Sequence, residues 1–541
     1  MKKISSVFVG VILCLNTITV TSAQMQKDTA MLNVANGLEI SDRIKKIATY
    51  STGIFNQSSA EIVSYDSYSK KIFVTNASTN AVDVLQLKGK TLTKIASIGL
   101  STFGGGVNSV SAYLGVIAVA VQAENKQKNG SIEFFNHNGV HLKTIVAGAL
   151  PDMVTFSKDG KIAIAANEGE PNNDYTVDPK GSVTIIDIEK QTSTSIDFTG
   201  LDLPDSGMKF YNSKDKAADI EPEYIAINES GTKAYVTLQE NNGVAIIDLV
   251  GKKIEKVIAL GFKDFSLVGN EIDANNNAQI SLININVFGL YQPDSIAVYT
   301  VNGEDYFVTA NEGDDREYAA YKEETKVLNL TLDSSLDTSG LSKNVRVTPE
   351  LGDIDGDGDY DQLYMMGARS FSIWNSKGKL IFDSGSQLQR HVINVVGEQY
   401  FNTRVDETDD IADITKMKSE GIHFSLIGNS AYFFEGKDAR SEKKGIEPEA
   451  LTLGTIGSKT YAFIGLEKQG GFFMYDITNP IIPKFIKYQN TIDYTKPPKD
   501  AGDLGPEGMV FIPADKSPNG HNLLVVANEI SGTTTVYEIS K

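Results

Sequence analysis

The stretch EPEYIAINESGTKAYVTLQENNGVAIIDLVGKKIEKVIAL, residues 221–260, contains one complete unit of a repeat that runs through the chain. It begins with a Pro-acid pair and continues as an alternating strand, a turn and a second strand that ends in Gln239-Glu240. A third strand, GVAIIDL, and a fourth strand follow after further turns. Short alternating strands separated by turn residues are typical of antiparallel β-structure. The unit therefore predicts a four-stranded sheet.

The same unit recurs along the chain, so internal repetition is the main structural signal. Seven units can be aligned, and they start at Ser59, Asn108, Leu150, Glu221, Gln292, Glu447 and Gly505. The unit at Gln292 lacks its third and fourth strands, which we place at residues 368–385 after a long insertion. The last unit stops after its third strand, and we expect residues 38–52 to supply its fourth.

These units predict an all-β fold, a seven-bladed β-propeller whose last blade is closed by an N-terminal strand and whose fifth blade carries the long insertion. Closing the last sheet in this way removes free edges from a ring of sheets. The alternative is a large β-sandwich, which explains short strands but not the repeated Pro-acid start. We predict a single propeller domain over residues 24–541, with insertions around 319–367 and 386–445. The second insertion is expected to be irregular, with its charge runs ETDDIAD and KDARSEKKG as solvated loops.

The net charge limits the possible partners, and the N-terminus indicates an exported protein. The chain of 541 residues has a net charge of −19, which argues against nucleic acids and anionic membranes as partners. Residues 1–23 have the basic start, apolar stretch and small-residue end of a secretory signal peptide. The one cysteine, Cys14, lies within them. We expect a periplasmic, cell-surface or extracellular protein without disulfides and without a membrane span after signal removal.

Acidic residues recur at the start of the first strand and at the end of the second strand of each unit. In a propeller these two positions open on the same face, so the acids are expected to converge at the mouth of a central channel. Crowded carboxylates raise one another's pKa and attract hard cations. The alternative is a structural role, in which these side chains bond neighbouring backbone. The candidates for a second metal or ligand site are Glu61, Asp152, Glu168, Glu170, Glu223, Glu240, Asp294, Glu312, Asp314, Glu449, Glu467, Glu507 and Glu529.

The long insertion contains LGDIDGDGDYDQLYMMGARSF, residues 351–371, whose acids alternate in the manner of a calcium loop. The spacing aims alternate side chains at one cation, and Gly358 permits a sharp turn. Tyr364 stands where an EF-hand has its bidentate glutamate, so we expect a weaker, extracellular type of Ca²⁺ site. The alternative is a solvated acidic turn. The predicted metal ligands are Asp353, Asp355, Asp357, Asp359 and Asp361.

Arg369 directly follows this loop and is the one candidate catalytic residue. If it opens the third strand of the fifth blade, its guanidinium enters from the face that carries the acids. An arginine beside a metal-lined mouth suits a clamp for a phosphate or carboxylate. The alternative is a salt bridge that neutralises the acids.

Long strings over nearly the whole chain resemble the choice-of-anchor I family, among them GARSFSIWN (367–375) and GIEPEALTLGTIGSKTYAFIGLEKQGGFFMYDITNP (445–480). That family is related to proteins named mesenchyme-specific cell surface glycoprotein. The resemblance implies an exported propeller with YVTN-like or WD40-like blades, anchored to the cell surface in various ways. Some members are labelled alkaline phosphatase, but the resemblance supplies no catalytic residues. This sequence shows no recognisable C-terminal anchor.

Two functions from different classes fit these observations. The first is a calcium-binding propeller that acts as a binding or adhesion module for a surface polymer, a glycan or a protein. The second is a calcium-dependent phosphoesterase that acts on a phosphorylated small molecule, with metal-bound water as nucleophile and Arg369 on the phosphoryl oxygens. We favour the binding module because no nucleophile or general base stands out in the sequence.

Overall fold

The computed structural model describes residues 44–211 and 215–539. The predicted signal peptide, residues 1–23, and the start of the predicted closing strand lie outside these ranges. Within them the chain forms strands β1 to β36, two α-helices and four short 3₁₀ helices (Ala77–Thr79, Val327–Asn329, Glu398–Tyr400 and Pro498–Asp500). The prediction of an all-β fold is confirmed.

Seven antiparallel sheets of four strands each make up most of the described chain, and the first strand, β1 (Ile44–Ser51), belongs to the last of them. Sheet I contains β2 (Val63–Asp66), β3 (Lys71–Asn76), β4 (Ala81–Lys88) and β5 (Thr91–Gly99). Sheet II contains β6 (Gly106–Tyr113), β7 (Val116–Gln122), β8 (Asn129–Asn136) and β9 (His141–Ala149). Sheet III contains β10 (Pro151–Phe156), β11 (Ile162–Asn167), β12 (Ser182–Asp187) and β13 (Thr192–Asp197).

The other four sheets repeat this arrangement. Sheet IV contains β14 (Ile225–Ile227), β15 (Lys233–Leu238), β16 (Gly243–Asp248) and β17 (Lys253–Ala259). After β18 (Phe262–Asp264) and β19 (Phe288–Leu290), sheet V starts with β20 (Ile296–Val301) and β21 (Glu304–Asn311). After β22 (Thr325–Lys326), β23 (Arg346–Val347) and β24 (Tyr364–Met365), it is completed by β25 (Ser370–Asn375) and β26 (Leu380–Asp383).

The chain then forms the helices α1 (Gln387–Val396) and α2 (Ile411–Glu420) and the strands β27 (Val405–Thr408), β28 (Phe424–Ile427) and β29 (Ser430–Phe434). Sheet VI contains β30 (Pro448–Ile456), β31 (Lys459–Leu466), β32 (Phe472–Asp476) and β33 (Lys484–Gln489). Sheet VII contains β34 (Pro506–Ile512), β35 (Asn522–Asn528), β36 (Thr533–Ile539) and β1.

The second and third strands of each sheet are the most buried and the fourth strand is the most exposed, as sheet III illustrates. β11, with the sequence IAIAAN, is buried on both faces because sheets pack against it on both sides. β13, with the sequence TSTSID, is the outer strand and is largely exposed. A continuous apolar run on an inner strand and a polar outer strand are what packing sheet face against sheet face requires.

The first strands of the seven sheets pack against one another in chain order: β2 on β6, then β10, β14, β20, β30 and β34. β34 packs in turn on β2. β1 pairs with β36 along its whole length, as the sequence predicted for the strand that follows the N-terminus. Lys46 on β1 forms an ion pair of 2.8 Å with Asp503, which also accepts from Thr533 and Thr535. This network holds the N-terminal strand in sheet VII.

The insertions form ordered structure of their own. β18, β19 and β24 make a three-stranded sheet, which joins the segment between sheets IV and V to the long insertion of sheet V. The segment between sheets V and VI carries α1, α2 and the sheet of β27, β29 and β28. The prediction that residues 386–445 are irregular is wrong, because this segment folds. Of its two charge runs, ETDDIAD is largely exposed as predicted, whereas KDARSEKKG contains the buried residues Arg440 and Ser441. Across residues 44–211 and 215–539, no helix has the length and apolar character needed to cross a bilayer.

Candidate cation and ligand site

A β-bulge at the start of the first strand places the Pro-acid carboxylates. In sheet III, Pro151 pairs with Asn167 and Met153 with Ala166, so Asp152 is an extra residue of β10. The same register shift makes Glu507 the extra residue of β34. A bulge bends the strand and re-aims a side chain. In sheets III and VII the Pro-acid pair therefore marks a bulge that turns a carboxylate out of the sheet.

These carboxylates line a cavity of about 190 Å³ between the first strands, which we call the central cavity. Glu61, Asp152, Asp294 and Glu507 lie on its wall. Burial raises the pKa of Glu61 to about 8 and that of Asp152 to about 6. Burial and neighbouring carboxylates raise the pKa of Asp294 and of Glu507 well above the ordinary value. The central cavity therefore retains protons at neutral pH unless a cation enters it.

The Asn-Glu elbow at the end of the second strand combines a structural residue with an acid. Asn167 is fully buried and its Nδ2 donates to the hydroxyls of Ser182 and Thr184 on β12, over 3.2 and 3.0 Å. Asn311 makes the same bonds to Ser370 and Ser372 on β25. The asparagine thus ties the second strand to the third. This bond fixes the position from which the following glutamate extends.

Glu168, Glu223 and Glu240, which we call the acid triad, come together beside sheets III and IV. One carboxylate oxygen of each lies within 4.8 Å of the others. Two oxygens that bind one calcium ion at about 2.4 Å are at most about 4.8 Å apart, so this spacing fits a shared Ca²⁺. Burial, and then repulsion by neighbouring carboxylates inside and outside the triad, raises the pKa of all three well above the ordinary value.

The acid triad also has acceptor oxygens that nothing satisfies. Within the part of the chain that the structure describes, Oε2 of Glu223 and Oε2 of Glu240 are buried without a hydrogen-bond partner. Glu240 is only 7% exposed, so water satisfies little of its charge. A buried acceptor without a partner costs about 1–3 kcal/mol, and more when it is ionised. The triad therefore needs a bound proton or an added cation to balance its carboxylates.

A second group of acids is neutralised by the protein itself, although it lies near the triad, since Glu312 accepts from Gln239 over 2.9 Å. Glu312, Glu447 and Glu467 also approach within 4.8 Å of one another. Lys444 Nζ lies 2.9 Å from Glu312 and 3.6 Å from Glu447, and Arg440 donates to Glu447. Burial opposes ionisation of Glu447, but the two basic side chains outweigh it and lower its pKa to about 2. This second group of acids already has its counter-charges.

The remaining predicted acids follow the same division. Glu449 is buried with Oε2 unpartnered in the described chain, and burial and Glu507 raise its pKa well above the ordinary value. The others have partners: Asp314 with Lys444 at 3.2 Å, Glu170 with Lys126, Glu467 with Lys468, and Glu529 with the Ser58 hydroxyl at 3.3 Å.

A second cavity, of about 290 Å³, opens beside Glu240 of the acid triad, and we call it the mouth cavity. It is lined by Glu170, Glu240, Asp314, Asp315, Arg316, Glu317 and Tyr318. Arg316 is 2% exposed, and its Nη2 donates to Glu221 over 2.8 Å and to the Asp219 carbonyl over 2.9 Å. Its Nε and Nη1 have no hydrogen-bond partner among the described residues, and Nη1 lies 3.6 Å from an Asp219 oxygen. Two residues of the mouth cavity thus have groups without a hydrogen-bond partner among the described residues: an acceptor oxygen on Glu240 and donor N–H groups on Arg316, whose charge is paired with Glu221 and Asp219.

The predicted calcium loop is divided into two groups of acids. Carboxylate oxygens of Asp353, Asp355 and Asp357, all exposed, lie within 4.8 Å of one another. Asp359 and Asp361 form a separate group with Asp333, which the sequence pattern did not single out. The five predicted acids therefore surround two points rather than one.

Arg369 does not present a free guanidinium at the mouth. It is 1% exposed, and its Nη2 donates to the carbonyls of Ser441 and Lys443 over 2.7 Å each, while Nη1 donates to the carbonyl of Asp273. Burial lowers its pKa to about 10. Because these bonds tie β25 to both neighbouring insertions, the structure gives Arg369 a structural role in place of the predicted clamp for an anion.

Sequence reasoning missed the basic side chains of the mouth. Lys444 and Arg440 lie in the charge run KDARSEKKG, directly before the Pro-acid start of sheet VI. A basic run that immediately precedes an acid of the repeat was the signal that could have identified them. Arg316 lies in a loop for which the sequence predicted only the acids Glu312 and Asp314 as site residues.

Comparisons with known proteins identify a family and one partial relative. The model of the choice-of-anchor I domain matches residues 61–480. Gigasin-3a of Magallana gigas is 26% identical over 192 residues, which are 34% of this chain and 60% of that protein. The chain therefore spans about 60% of the length of this curated relative.

Solved structures with low similarity scores include propellers. Hydrazine synthase of Kuenenia stuttgartiensis has a TM-score of 0.46 at 12% identity, covering 91% of this chain and all of that one. The β-propeller domain of Cps50 (Swd1) from Myceliophteria thermophila has a TM-score of 0.39 at 9% identity, with 91% and 100% covered. Both TM-scores are below 0.5, so the fold is assigned from the strands and sheets of this chain alone. Since the family model covers most of its length, the protein belongs to the choice-of-anchor I domain family.

Proposed function

We propose that this protein is an exported, calcium-binding β-propeller of seven blades that acts as a binding module through the mouth of its central channel. The seven four-stranded sheets are the blades, and the cyclic packing of their first strands supports a closed ring. The N-terminal strand β1 closes the last blade, as in propellers that protect their sheet edges. The domain covers residues 24–541, behind a signal peptide of residues 1–23.

The observation that carries the proposal is the acid triad, with its close spacing and unpartnered oxygens. Calcium takes six to eight oxygen ligands, and the triad supplies carboxylates in an interior where no described basic side chain is bonded to Glu223 or Glu240. A divalent cation there would remove the repulsion that raises the three pKa values. It would also leave coordination positions open towards the mouth for a ligand.

The acids of the long insertion form a further calcium position. Asp353, Asp355 and Asp357 are exposed and close together, as in weak extracellular sites, and Asp353 also accepts from the backbone N–H of Gly356 over 2.7 Å. This site lies on an insertion, so we assign it a role in ordering that segment. The ligand itself binds at the mouth.

Export fits both the family and the composition. Residues 24–541 contain no cysteine, so a bound metal rather than disulfides would stabilise the chain outside the cell. The partner is a surface polymer, a glycan or a protein. The second function that the sequence left open, a calcium-dependent phosphoesterase, required Arg369 as phosphate clamp. Its donors are bonded to backbone carbonyls, so the binding module is the function we propose.

Calorimetric titration of the purified protein with calcium, after treatment with chelator, tests the proposal. We expect at least two classes of site. The variant Glu223→Gln/Glu240→Gln should lose the mouth class and keep the other, while Asp353→Asn/Asp355→Asn should show the opposite loss. Glutamine preserves the shape of the side chain and removes the repulsion, so the first variant is expected to fold.

The matched control is Glu189→Gln, which removes one exposed carboxylate outside both sites. It should bind calcium as the wild type does. Unchanged calcium binding in Glu223→Gln/Glu240→Gln would overturn the mouth as a cation site.

A further inference from the structure

Four tyrosines form a cluster beside the mouth cavity. Tyr175 lies 5.1 Å from Tyr211 and 5.2 Å from Tyr318, measured between ring centroids. Tyr211 and Tyr321 lie 3.9 Å apart. Tyr211 is 37% exposed and the other three are half-buried, so the cluster presents aromatic surface to solvent. Half-buried aromatic rings next to a polar cavity are typical of ligand sites rather than of a core.

Three separate loops are held together to build this cluster. The carbonyl of Asn173 accepts from the N–H of Ala320 over 2.9 Å, which joins the loop of Tyr175 to the loop of Tyr318. Lys209 and Glu323 form a fully buried ion pair with bonds of 2.5 and 2.7 Å, which joins the loop of Tyr211 to the same segment. These contacts hold the tyrosine cluster in a fixed arrangement.

Tyr318 connects the tyrosine cluster to the polar groups of the mouth cavity, since it lines that cavity together with Glu240 and Arg316. Glu240 has a free acceptor and Arg316 has free donors, and both residues are more than nine-tenths buried. A ligand in the mouth cavity is therefore expected to bond Arg316 and to share Glu240 with the cation of the triad.

Their combination selects the chemistry of the ligand. An ammonium group would bond Glu240 but leave the donors of Arg316 unpaired. A phosphate or carboxylate would meet a guanidinium whose charge is already balanced by Glu221 and Asp219. A hydroxyl is neutral and both donates and accepts, so it can accept from Arg316 and donate to Glu240 at once.

We propose that the mouth cavity binds a neutral sugar unit, with its hydroxyls between Arg316 and Glu240 and its C–H face against Tyr318. The apolar face of a pyranose ring suits the electron-rich face of a tyrosine. The cavity volume of about 290 Å³ lies at the lower end for ligand pockets, which fits one sugar residue at the end or side of a polysaccharide. The inference rests on the proposed function, since it assigns a ligand class to the same mouth, and Glu240 belongs to both the triad and the cavity.

Saturation-transfer NMR of the whole protein with calcium tests this directly. The probes are the methyl glycosides of mannose, galactose, glucose and fucose and that of N-acetylglucosamine, each at millimolar concentration. N-acetyl-lysine methylamide serves as a cationic probe of similar size. We expect transfer to at least one glycoside in the wild type, none in Tyr318→Ala, and retained transfer in Tyr318→Phe, which keeps the ring.

Tyr68→Ala is the matched control, because Tyr68 is 67% exposed and packs on His137 in another part of the chain. It should behave as the wild type. Transfer to no glycoside, transfer that survives in Tyr318→Ala, or Tyr318-dependent transfer to the lysine derivative alone would each overturn the sugar site.

Calcium binding is measured separately on the same Tyr318→Ala sample and should be unchanged. A protein that binds calcium at the triad but no glycoside would refute this inference alone. A protein that binds a glycoside through Tyr318 but no calcium would support the inference and refute the proposed cation site.

Discussion

Replacing Glu61 by glutamine should stabilise the protein increasingly as the pH rises. Glu61 lines the central cavity, and burial raises its pKa from 4.5 to about 8. Between these two values the folded state keeps the proton and the unfolded state has released it. The unfolded state therefore binds fewer protons, so this group lowers the stability of the wild type as the pH increases. Glutamine has the same shape and no titrating proton, so it removes this loss.

The size of the effect follows from the shift. One pKa unit corresponds to about 1.4 kcal/mol, so the stability difference between Glu61→Gln and wild type should grow by up to about 1.4 kcal/mol per pH unit. From about pH 5.5 to 7.5 this gives up to about 2.7 kcal/mol, an upper limit because water in the cavity screens part of the charge. Calcium should reduce the difference, since a bound cation stabilises the ionised carboxylates.

Urea unfolding in chelator, followed by the fluorescence of the single tryptophan, measures this difference. Trp374 is 2% exposed, so its emission reports unfolding. Glu189→Gln, at an exposed position, is the control and should stay parallel to the wild type across the range. A constant difference between Glu61→Gln and wild type from acid to neutral pH would refute the reasoning that the central cavity retains protons.

Three further substitutions test other parts of the structure. Lys444→Met should destabilise the folded state by about 3–5 kcal/mol at neutral pH, because it leaves Glu312 buried without its cation, and by less in acid; urea unfolding at both pH values checks this. Arg369→Gln should leave calcium binding intact but increase hydrogen exchange in residues 436–445, because it loses the bonds to the carbonyls of Ser441 and Lys443; unchanged exchange there would contradict the structural role. Asp503→Ala should lower the melting temperature by several degrees and expose β1 to proteolysis, because it removes the partner of Lys46; unchanged proteolysis would contradict that role.

Much of the fold could be predicted because the repeat is local. The third strand predicted from GVAIIDL is β16, Gly243–Asp248, and the second strand before it is β15. Both follow from alternation and turn residues within one unit. The segment with β18 and β19 between sheets IV and V was not predicted, because it belongs to no repeat and pairs with β24 from a distant part of the chain.

The candidate site was predictable in its acids but not in its charge balance. The convergence of Asp152, Glu223 and Glu507 follows from their equivalent positions in the repeat. Which acids are neutralised depends on Lys444, which lies 132 residues from Glu312 in the sequence. Contacts at such separation leave no periodic pattern, so only the three-dimensional structure shows which acids have a basic partner.

Arg369 shows a second limit of sequence reasoning. Its position before β25 was correctly associated with the third strand of sheet V, but its φ of +54° lies in the left-handed region. That backbone conformation, with the surrounding carbonyls, decides where the guanidinium points. Strand alternation alone predicts a different direction.

A crystal structure of the protein grown with calcium, with anomalous differences collected at long wavelength, tests the central claim most directly. The account predicts an anomalous peak at about 2.3–2.6 Å from oxygens of Glu168, Glu223 and Glu240. A map in which calcium occupies only the acids of the long insertion, while the triad stays without a peak, would contradict it.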